Sequence, residues 1–367
     1  MELKVKTAVL QNMVSKAIKA AGKDKIMPIT ELMGVDVRDN VLSLTATLDG
    51  SNVLTVYDKV EQAEGEFSGA VNADLFAKLI AKTTCEIMTL RAAGNVLSVH
   101  GNGSYSFPLS TEADDELVVI PQVAIPADVN VLSEVTAKVK DLKEAYAIGK
   151  TALAVNNAQQ CFTGFYFYQN GSVTSDGGKA TYAKKKIFEK DVLLSNAFMG
   201  LTGLLTGEDV KITETEDCVF MSVPGLNIVG HKMPEVGEFP IESIVQFTEQ
   251  PFAHTVKLNK TALLNVLDRV ALFIGQYDRN GVRFNFGEKG VLITDLKAAS
   301  SEFLKADGDL SAFSVVLDID SLKNMLSVNP DEAVSLSYGS QEAIKMQFGD
   351  TVQVLATQVD DNPGETK

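Results

Sequence analysis

The stretch TSDGGKATYA, residues 174–183, sets an acid, two glycines, a lysine and two threonines within one short run. Glycines that let a backbone wrap an anion, a lysine to pair with it and an acid to hold a proton are the parts of a phosphate-cradling loop or a catalytic turn. Gly149-Lys150-Thr151 and Gly101-Asn102-Gly103 raise the same question. Each string fails on its surroundings. A nucleotide-binding loop needs a glycine five residues before Gly149, where the chain has Glu144, and it needs a loop where the pattern here is helical. Gly101-Asn102-Gly103 runs on into SYSFPLS, a second strand-like segment, and reads as a hairpin turn. TSDGGKATYA follows the β-pattern of Phe165, Phe167 and Val173 and leads into ATYAKKKIF, with no helix N-terminus behind it to hold a phosphate. Its glycines read most simply as turn geometry.

Other reactive residue types are equally scattered. Cys85, Cys161 and Cys218 are odd in number and far apart, so neither a disulfide framework nor a metal-binding pair is legible, and they read as small buried hydrophobes. His100, His231 and His254 have no metal-ligand spacing. No serine sits in a nucleophile elbow, and no acid pair stands out from solvated charge. The expectation is a protein without catalytic residues, metal or cofactor.

The chain has 367 residues, of which 45% are apolar, enough for two or three domains with sizeable cores. Lysines spread through MELKVKTAVLQNMVSKAIKAAGK argue against a signal peptide, and no apolar run reaches the length of a membrane span. The expected location is the cytoplasm. The net charge of −15 argues, taken whole, against nonspecific nucleic-acid binding. The charge is segregated, however. EADDE (112–116) and GEDVKITETED (207–217) are acidic, whereas Lys4, Lys6, Lys16, Lys19, Lys23 and Lys25 dominate the first 25 residues.

The elements that carry these residues repeat. Helix-like stretches at 10–22, 141–154 and 259–275 are each followed by short β-like runs with hairpin signals. A second helix-like stretch then follows at 72–83, 193–205 and 318–328, and another hairpin closes each set. The chain therefore reads as three units of about 120 residues, each a doubled helix-plus-strands unit. Turn formers and acids mark boundaries at 110–130 and 239–254, giving domains 1–126, 127–248 and 249–367, with DDNPGETK (360–367) as a frayed tail. On the first helix Leu10, Val14, Ala17, Ile18 and Ala21 share one face, and Lys16, Lys19 and Lys23 line another. Leu142, Ala145, Tyr146, Gly149 and Leu153 repeat the apolar face, beside Lys140, Lys143 and Lys150; the third helix, with Lys260, Arg269 and Asp268, is less basic. Positive helices in so acidic a chain point to a polyphosphate backbone as their target.

With this layout the chain resembles the bacterial sliding clamp family, the beta subunit of DNA polymerase III. Met27-Pro28-Ile29-Thr30 with Leu42–Thr47 is similar to the family's LPIL … LTATD opening. Phe162-Thr163-Gly164-Phe165 with Thr174-Ser175-Asp176-Gly177 is similar to its LxGV … ATDG pattern. Gly237-Glu238-Phe239-Pro240 resembles GxFP, and Leu267-Asp268-Arg269-Val270 the opening helix of the third domain. The resemblance covers about residues 1–360 and marks a divergent member, of host or phage origin.

It implies an α+β clamp fold of three similar domains, with two chains closing head to tail into a ring around duplex DNA. Such a ring is a processivity factor. It reads no sequence and tethers the replicative polymerase, and it takes a short apolar peptide from the polymerase and the clamp loader. The implied DNA-facing residues are Lys16, Lys19, Lys23, Lys25, Lys78, Lys82, Lys143, Lys150 and Lys260. The implied subunit contact sets Phe107 and Leu109 against Leu272 and Phe273. The implied peptide groove comprises Phe162, Ser175, Gly178, Lys179, Ala180, Pro240, Val245, Val354 and Ala356. The chain departs from the family at two places in that groove. Gly178-Lys179-Ala180 stands for His-Arg-Leu, and Ala356-Thr357-Gln358-Val359 for the MPxR ending, which implies a shallower, differently lined groove. Two alternatives stand beside the clamp. One is a clamp-like scaffold that binds peptides without encircling DNA; the other is a phosphate-using enzyme resting only on the GKT and DGGK strings.

Overall fold

Alternating apolar residues punctuated by Asn-Gly, Gly-Asn and Gly-Asp turns write most of this chain into antiparallel strands, and seven α-helices supply the remaining cover among the described residues. The computed structural model describes residues 1–22, 25–340 and 342–359, so the expectations on Lys23 and on the 360–367 tail lie outside the described residues. The helices are α1 (Thr7–Ala17), α2 (Ala73–Lys82), α3 (Val139–Gly149), α4 (Asn196–Leu201), α5 (Ile241–Glu249), α6 (Lys260–Ala271) and α7 (Ile319–Ser327). The architecture is α+β.

The chain forms two compact units, the first made of Met1–Leu142 with Ala197–Lys232, the second of Lys143–Asn196 with Met233–Lys367. In the first, a five-stranded sheet runs in the order Gln62–Glu64, Glu2–Lys6, Ile87–Ala93, Val96–His100, Ser104–Pro108. Its companion is an eight-stranded sheet. Ser133–Lys138, Asp209–Glu214, Cys218–Val223 and Leu226–His231 continue into Asn52–Lys59, Val41–Thr47, Leu32–Arg38 and Phe67–Asn72. In the second unit a nine-stranded sheet joins Val192–Ser195, Gly164–Tyr168, Gly171–Ser175 and Lys179–Ala183 to Thr351–Ala356, Ala343–Phe348, Ala333–Tyr338, His254–Asn259 and Asp307–Gly308. A four-stranded sheet, Ser301–Lys305, Gly290–Asp295, Gly281–Gly287, Phe313–Asp318, completes it. Strands from the middle third of the chain thus extend a sheet in each unit. Leu226 to Gly230 pairs with Val56 to Asn52, and Lys179 to Ala183 with Leu355 to Thr351.

Helix entry follows one rule in several repeats. A strand ends on Asn72, Asn259 or Asp318, whose side chain accepts a hydrogen bond from the backbone amide three residues on and opens α2, α6 or α7. Within the first unit α1 packs on α2, and Gln11 Nε2 donates to the carbonyls of Ile80 (3.0 Å) and Thr83 (2.9 Å), satisfying helix-end groups that would otherwise lack partners. Within the second, Leu263, Val266, Leu267 and Val270 of α6 share a core with Leu322, Met325 and Leu326 of α7.

Three sequence expectations are corrected. The first helix starts at Thr7 and gives way after Ala17 to a 3-10 turn, Ile18–Ala20; the tighter period buries Ala20 and leaves Ala21 half-buried. In the 193–205 stretch Val192–Ser195 is a strand and only Asn196–Leu201 is α-helix, because the LL pair belongs to the edge of the nine-stranded sheet. The 239–254 boundary holds α5, whose Ile241, Ile244, Val245 and Thr248 recur at helical spacing behind Pro240.

Gly149 closes α3, and Lys150–Ala152 continues as a 3-10 turn, so the GKT string is helical. The glycine is required by packing. A Cβ there would lie 2.5 Å from Phe165 Cε1 and 3.0 Å from Thr174 Cγ2, and the Gly149 carbonyl accepts a hydrogen bond from Thr174 Oγ1 at 2.8 Å. Gly149→Ala should therefore overpack a closed site and destabilise the protein by about 1–3 kcal/mol. Urea unfolding monitored by circular dichroism checks this; an unchanged midpoint would contradict the packing role.

Candidate functional site

The TSDGGKATYA stretch forms a hairpin between the strands Gly171–Ser175 and Lys179–Ala183. Its acid and serine are engaged in the turn. Asp176 Oδ1 accepts from the amides of Gly178 and Lys179, each at 2.9 Å. Ser175 Oγ donates to the Lys179 carbonyl at 2.8 Å and accepts from the Gly177 amide at 3.1 Å. Gly177 has φ +91°, in the left-handed region where a side chain is disfavoured. The acid and serine therefore hold the backbone's shape.

The same hairpin forms the floor of a candidate groove. Cross-strand register sets Ser175 beside Ala180, Ala180 beside Val354, and Val354 beside Lys345, so these four side chains share one sheet face. Ala356 lies two residues beyond Val354, and its amide donates to the Gly178 carbonyl at 2.8 Å. Helix α5 packs over the strands Lys179–Ala183 and Thr351–Ala356, with exposed Pro240 at its N-cap. Val245 of α5 and Phe162 border the apolar cluster that contains Ala180, Tyr166, Tyr182 and Phe239. Phe239 stacks on Tyr166 at 4.7 Å and meets Phe162 edge-on at 6.0 Å. Val354 belongs to a neighbouring cluster flanked by Phe247 and Phe252. Cys161 is buried nearby, and burial pushes its thiol pKa up, away from the reactive thiolate.

Lys179 stands apart from its expected neighbours. It alternates to the opposite face of the sheet, where its ammonium lies 3.4 Å from Ser321 Oγ of α7 and 3.4 Å from Asp176 Oδ2. At the C-terminal end of α5, Lys345 donates to the Gln250 carbonyl at 3.0 Å and lies 5.0 Å from the Phe252 ring centroid. Desolvation, reinforced by the charge of Lys184, holds the Lys345 pKa below the ordinary lysine value. Lys184 pairs with Glu249 at 2.9 Å and lies 5.2 Å from the Tyr182 ring centroid.

The basic candidates lie on helices or beside them. Lys16 is half-buried in the last turn of α1, Lys19 is exposed in the following 3-10 turn, and Lys25 is exposed beyond it. Lys78 and Lys82 are exposed on α2, with Lys78 paired to Asp74 at 2.6 Å. Lys143 is half-buried on α3, and exposed Lys150 lies 5.7 Å from the Tyr146 ring centroid. Lys260 is tied down, its ammonium donating to the Asn329 carbonyl at 2.7 Å.

Among the candidate contact residues, Phe107 and Leu109 are buried, and Phe107 meets Phe76 of α2 edge-on at 5.5 Å. Leu272 is 82% and Phe273 54% exposed just after α6. Sequence reading missed the exposed aromatics on two edge strands, Tyr105 in Ser104–Pro108 and Phe303 in Ser301–Lys305. Alternation marks the face each ring is on; only the sheet order reveals that these strands are edges.

No protein-family model matches the chain, and no curated protein matches it in sequence. Solved structures match its fold. DNA polymerase III subunit beta from Borrelia burgdorferi aligns with a TM-score of 0.86 at 14% identity, over 98% of this chain and 99% of that one. The Pseudomonas aeruginosa subunit beta aligns at 0.83 and 16%, over 98% and 100%. The beta subunit from Thermotoga maritima aligns at 0.81 and 17%, over 98% and 99%. The chain therefore has the fold of the DNA polymerase III beta subunits along almost its whole length.

The turn chemistry makes a direct prediction. Asp176→Ala removes two charge-assisted backbone hydrogen bonds and should destabilise the hairpin by about 1–2 kcal/mol, read as a lower denaturant midpoint. Gly177→Ala should destabilise as well, by strain at positive φ. Neutral outcomes for both would separate this turn from the stability of the sheet.

Proposed function

We propose that this chain is a DNA polymerase processivity factor, a divergent sliding clamp that encircles duplex DNA and tethers a replicative polymerase. The observation that carries the reading is the match in fold to DNA polymerase III beta subunits over 98% of the chain. In this reading the chain comprises domains 1–126, 127–248 and 249–367, works in the cytoplasm and performs no chemistry of its own.

A head-to-tail dimer would be built on edge strands. Ser104–Pro108 ends the five-stranded sheet and Ser301–Lys305 ends the four-stranded one, each leaving one row of backbone groups without a strand partner. Pairing the first edge of one copy with the second edge of another closes both, and twofold repetition closes the ring. Leu272 and Phe273, exposed after α6, would add apolar cover, while buried Phe107 and Leu109 would support the edge strand from beneath.

DNA would be held by topology, so its contacts need only be weak. Lys16, Lys19, Lys25, Lys82, Lys143 and Lys150 would supply sparse phosphate attraction that lets the ring slide. Lys78 and Lys260 would contribute less, since an acid and a carbonyl already engage them. Partner peptides from the polymerase and clamp loader would lie between α5 and the Ser175–Ala180–Val354 floor, against Phe162, Pro240, Val245, Ala356 and Gly178. Lys179 would act from behind the floor.

Two measurements test this. Light scattering should give about twice the 39.5 kDa chain mass, and Phe303→Lys with Tyr105→Lys should shift the protein toward monomer. Once loaded on nicked circular DNA, the protein should stay bound in moderate salt and be lost when the circle is linearised. Equal retention on both forms would refute encirclement and leave a scaffold that binds peptides without enclosing DNA.

A further inference from the structure

The residues assigned to the groove fall into two groups. Pro240 and Gly178 are exposed, and Phe162, Val245 and Ala356 are half-buried, so these are open to a partner. The floor itself is covered: Ser175, Ala180 and Val354 are 4%, 1% and 0% exposed. Helix α5 is the cover. It packs over the strands Lys179–Ala183 and Thr351–Ala356, with Ile244 and Thr248 buried against them. Phe247, three residues on from Ile244, packs half-buried against Ala343, Val352 and Val354. Cross-strand register puts those three side chains on the floor's face of the sheet. An apolar side chain from a partner can reach this floor only where α5 gives way.

The two ends of α5 are held differently. Ahead of the helix, Phe239 is buried and stacks on Tyr166 at 4.7 Å, and the Met233 amide donates to the Leu193 carbonyl at 2.9 Å, so the entry is fixed in the core. Beyond the helix the chain runs through Gln250 and Pro251 to the strand His254–Asn259. This end is tied by the pair Lys184–Glu249, 43% and 50% exposed, and by the bond from Lys345 to the Gln250 carbonyl. An exposed ion pair contributes little to stability. The buried Gln250 Nε2 has no acceptor among the described residues, which makes the closed position less favourable at this end. The C-terminal half of α5 is therefore the end that can lift, with Phe239–Pro240 as its hinge.

Resting on the groove reading above, we infer that Phe247 is a built-in plug, which holds the apolar floor of the empty groove and yields it to a partner's apolar anchor as the C-terminal half of α5 swings out. The surface of Ala343, Val352 and Val354 is then covered in both states, by Phe247 when the groove is empty and by the partner when it is filled. A permanently open floor would instead be an exposed apolar patch. The exchange also sets a threshold. Displacing Phe247 costs the contacts it makes, so every partner binds more weakly than an unplugged floor would allow. Segments without a bulky apolar anchor gain too little from the floor to displace the ring.

The experiment uses the full chain and a fluorescein-labelled eight-residue peptide with a Leu-Leu-Phe core between Ser residues, and binding is read by anisotropy. Phe247→Ala should bind the peptide about fivefold tighter than the unaltered chain, because the competing contact is gone. Glu249→Gln loosens the exposed end of α5 without touching its apolar side, and should raise the association rate about twofold, the order of one exposed ion pair. The chain has no tryptophan, so Phe247→Trp supplies a single fluorescent reporter. Its emission should shift to the red as unlabelled peptide fills the groove and the ring moves into water. Circular dichroism checks that each variant is folded, and the Glu249 and Trp variants carry the test if Phe247→Ala is not. Peptide binding that is no tighter to a folded Phe247→Ala chain, or that leaves the Trp emission unmoved, would overturn the inference while leaving the groove reading intact. If the peptide binds neither the unaltered chain nor the variants, the groove reading fails and the inference fails with it; retention on circular DNA then still tests encirclement separately.

Discussion

Antiparallel backbone pairing between segments far apart in the chain is the constraint on which the rest depends. Leu226 to Gly230 lies against Val56 to Asn52, and Lys179 to Ala183 against Leu355 to Thr351. Without these ladders the strands from the middle third of the chain would present unpaired edges, with their amides and carbonyls open to other chains. Each ladder converts two small sheets into one large one with a shared apolar face. The floor of the candidate groove is made directly by the second ladder, since Ala180 and Val354 are neighbours only because Lys179–Ala183 pairs with Thr351–Ala356. Helix α5 then has a continuous surface on which to pack.

Much of this was legible in the amino-acid sequence, for identifiable reasons. The helix pairs follow from apolar residues at helical spacing, and the hairpins from alternating runs broken by Gly-Asn, Asn-Gly and Gly-Gly. Asn72, Asn259 and Asp318 mark helix starts because a short side-chain acceptor answers an amide in the first turn. Helix α5 was missed because Pro240, Glu242 and Glu249 make nine residues resemble a polar connection, although Ile241, Ile244 and Val245 carry the period. The ladders between distant segments were invisible, because strand partners chosen across the length of the chain leave no local pattern. The edge positions of Tyr105 and Phe303 follow from those choices and were hidden with them.

The candidate site shows how far a motif carries. Transferring family positions one by one named Phe162, Ser175, Ala180, Val245 and Val354, which packing and strand register bring near one another in the structure. It put Lys179 among them because it sits between Gly178 and Ala180 in sequence, whereas strand alternation turns it toward α7. Composition misleads in a similar way. The total of −15 hides helices that carry lysines, and the exposure of a lysine says less than its engagement, as the bond from Lys260 to Asn329 illustrates. Ionic attraction at such surfaces is local and screened, so the arrangement of charge within about a Debye length matters more than the sum.

The fusion of floor and ladder has an evolutionary consequence. Backbone hydrogen bonds at Ala180 and Ala356 maintain the sheet whatever side chains those residues carry, so replacing a bulky residue by alanine there changes the width of the groove and leaves the pairing intact. If the surface binds peptides as proposed, its recognition can therefore drift by side-chain volume, one residue at a time, without passing through unfolded intermediates. Partner sequences can follow in equally small steps. On the clamp reading proposed above, a lineage whose partner proteins change quickly could in this way keep an old scaffold while replacing the vocabulary it recognises.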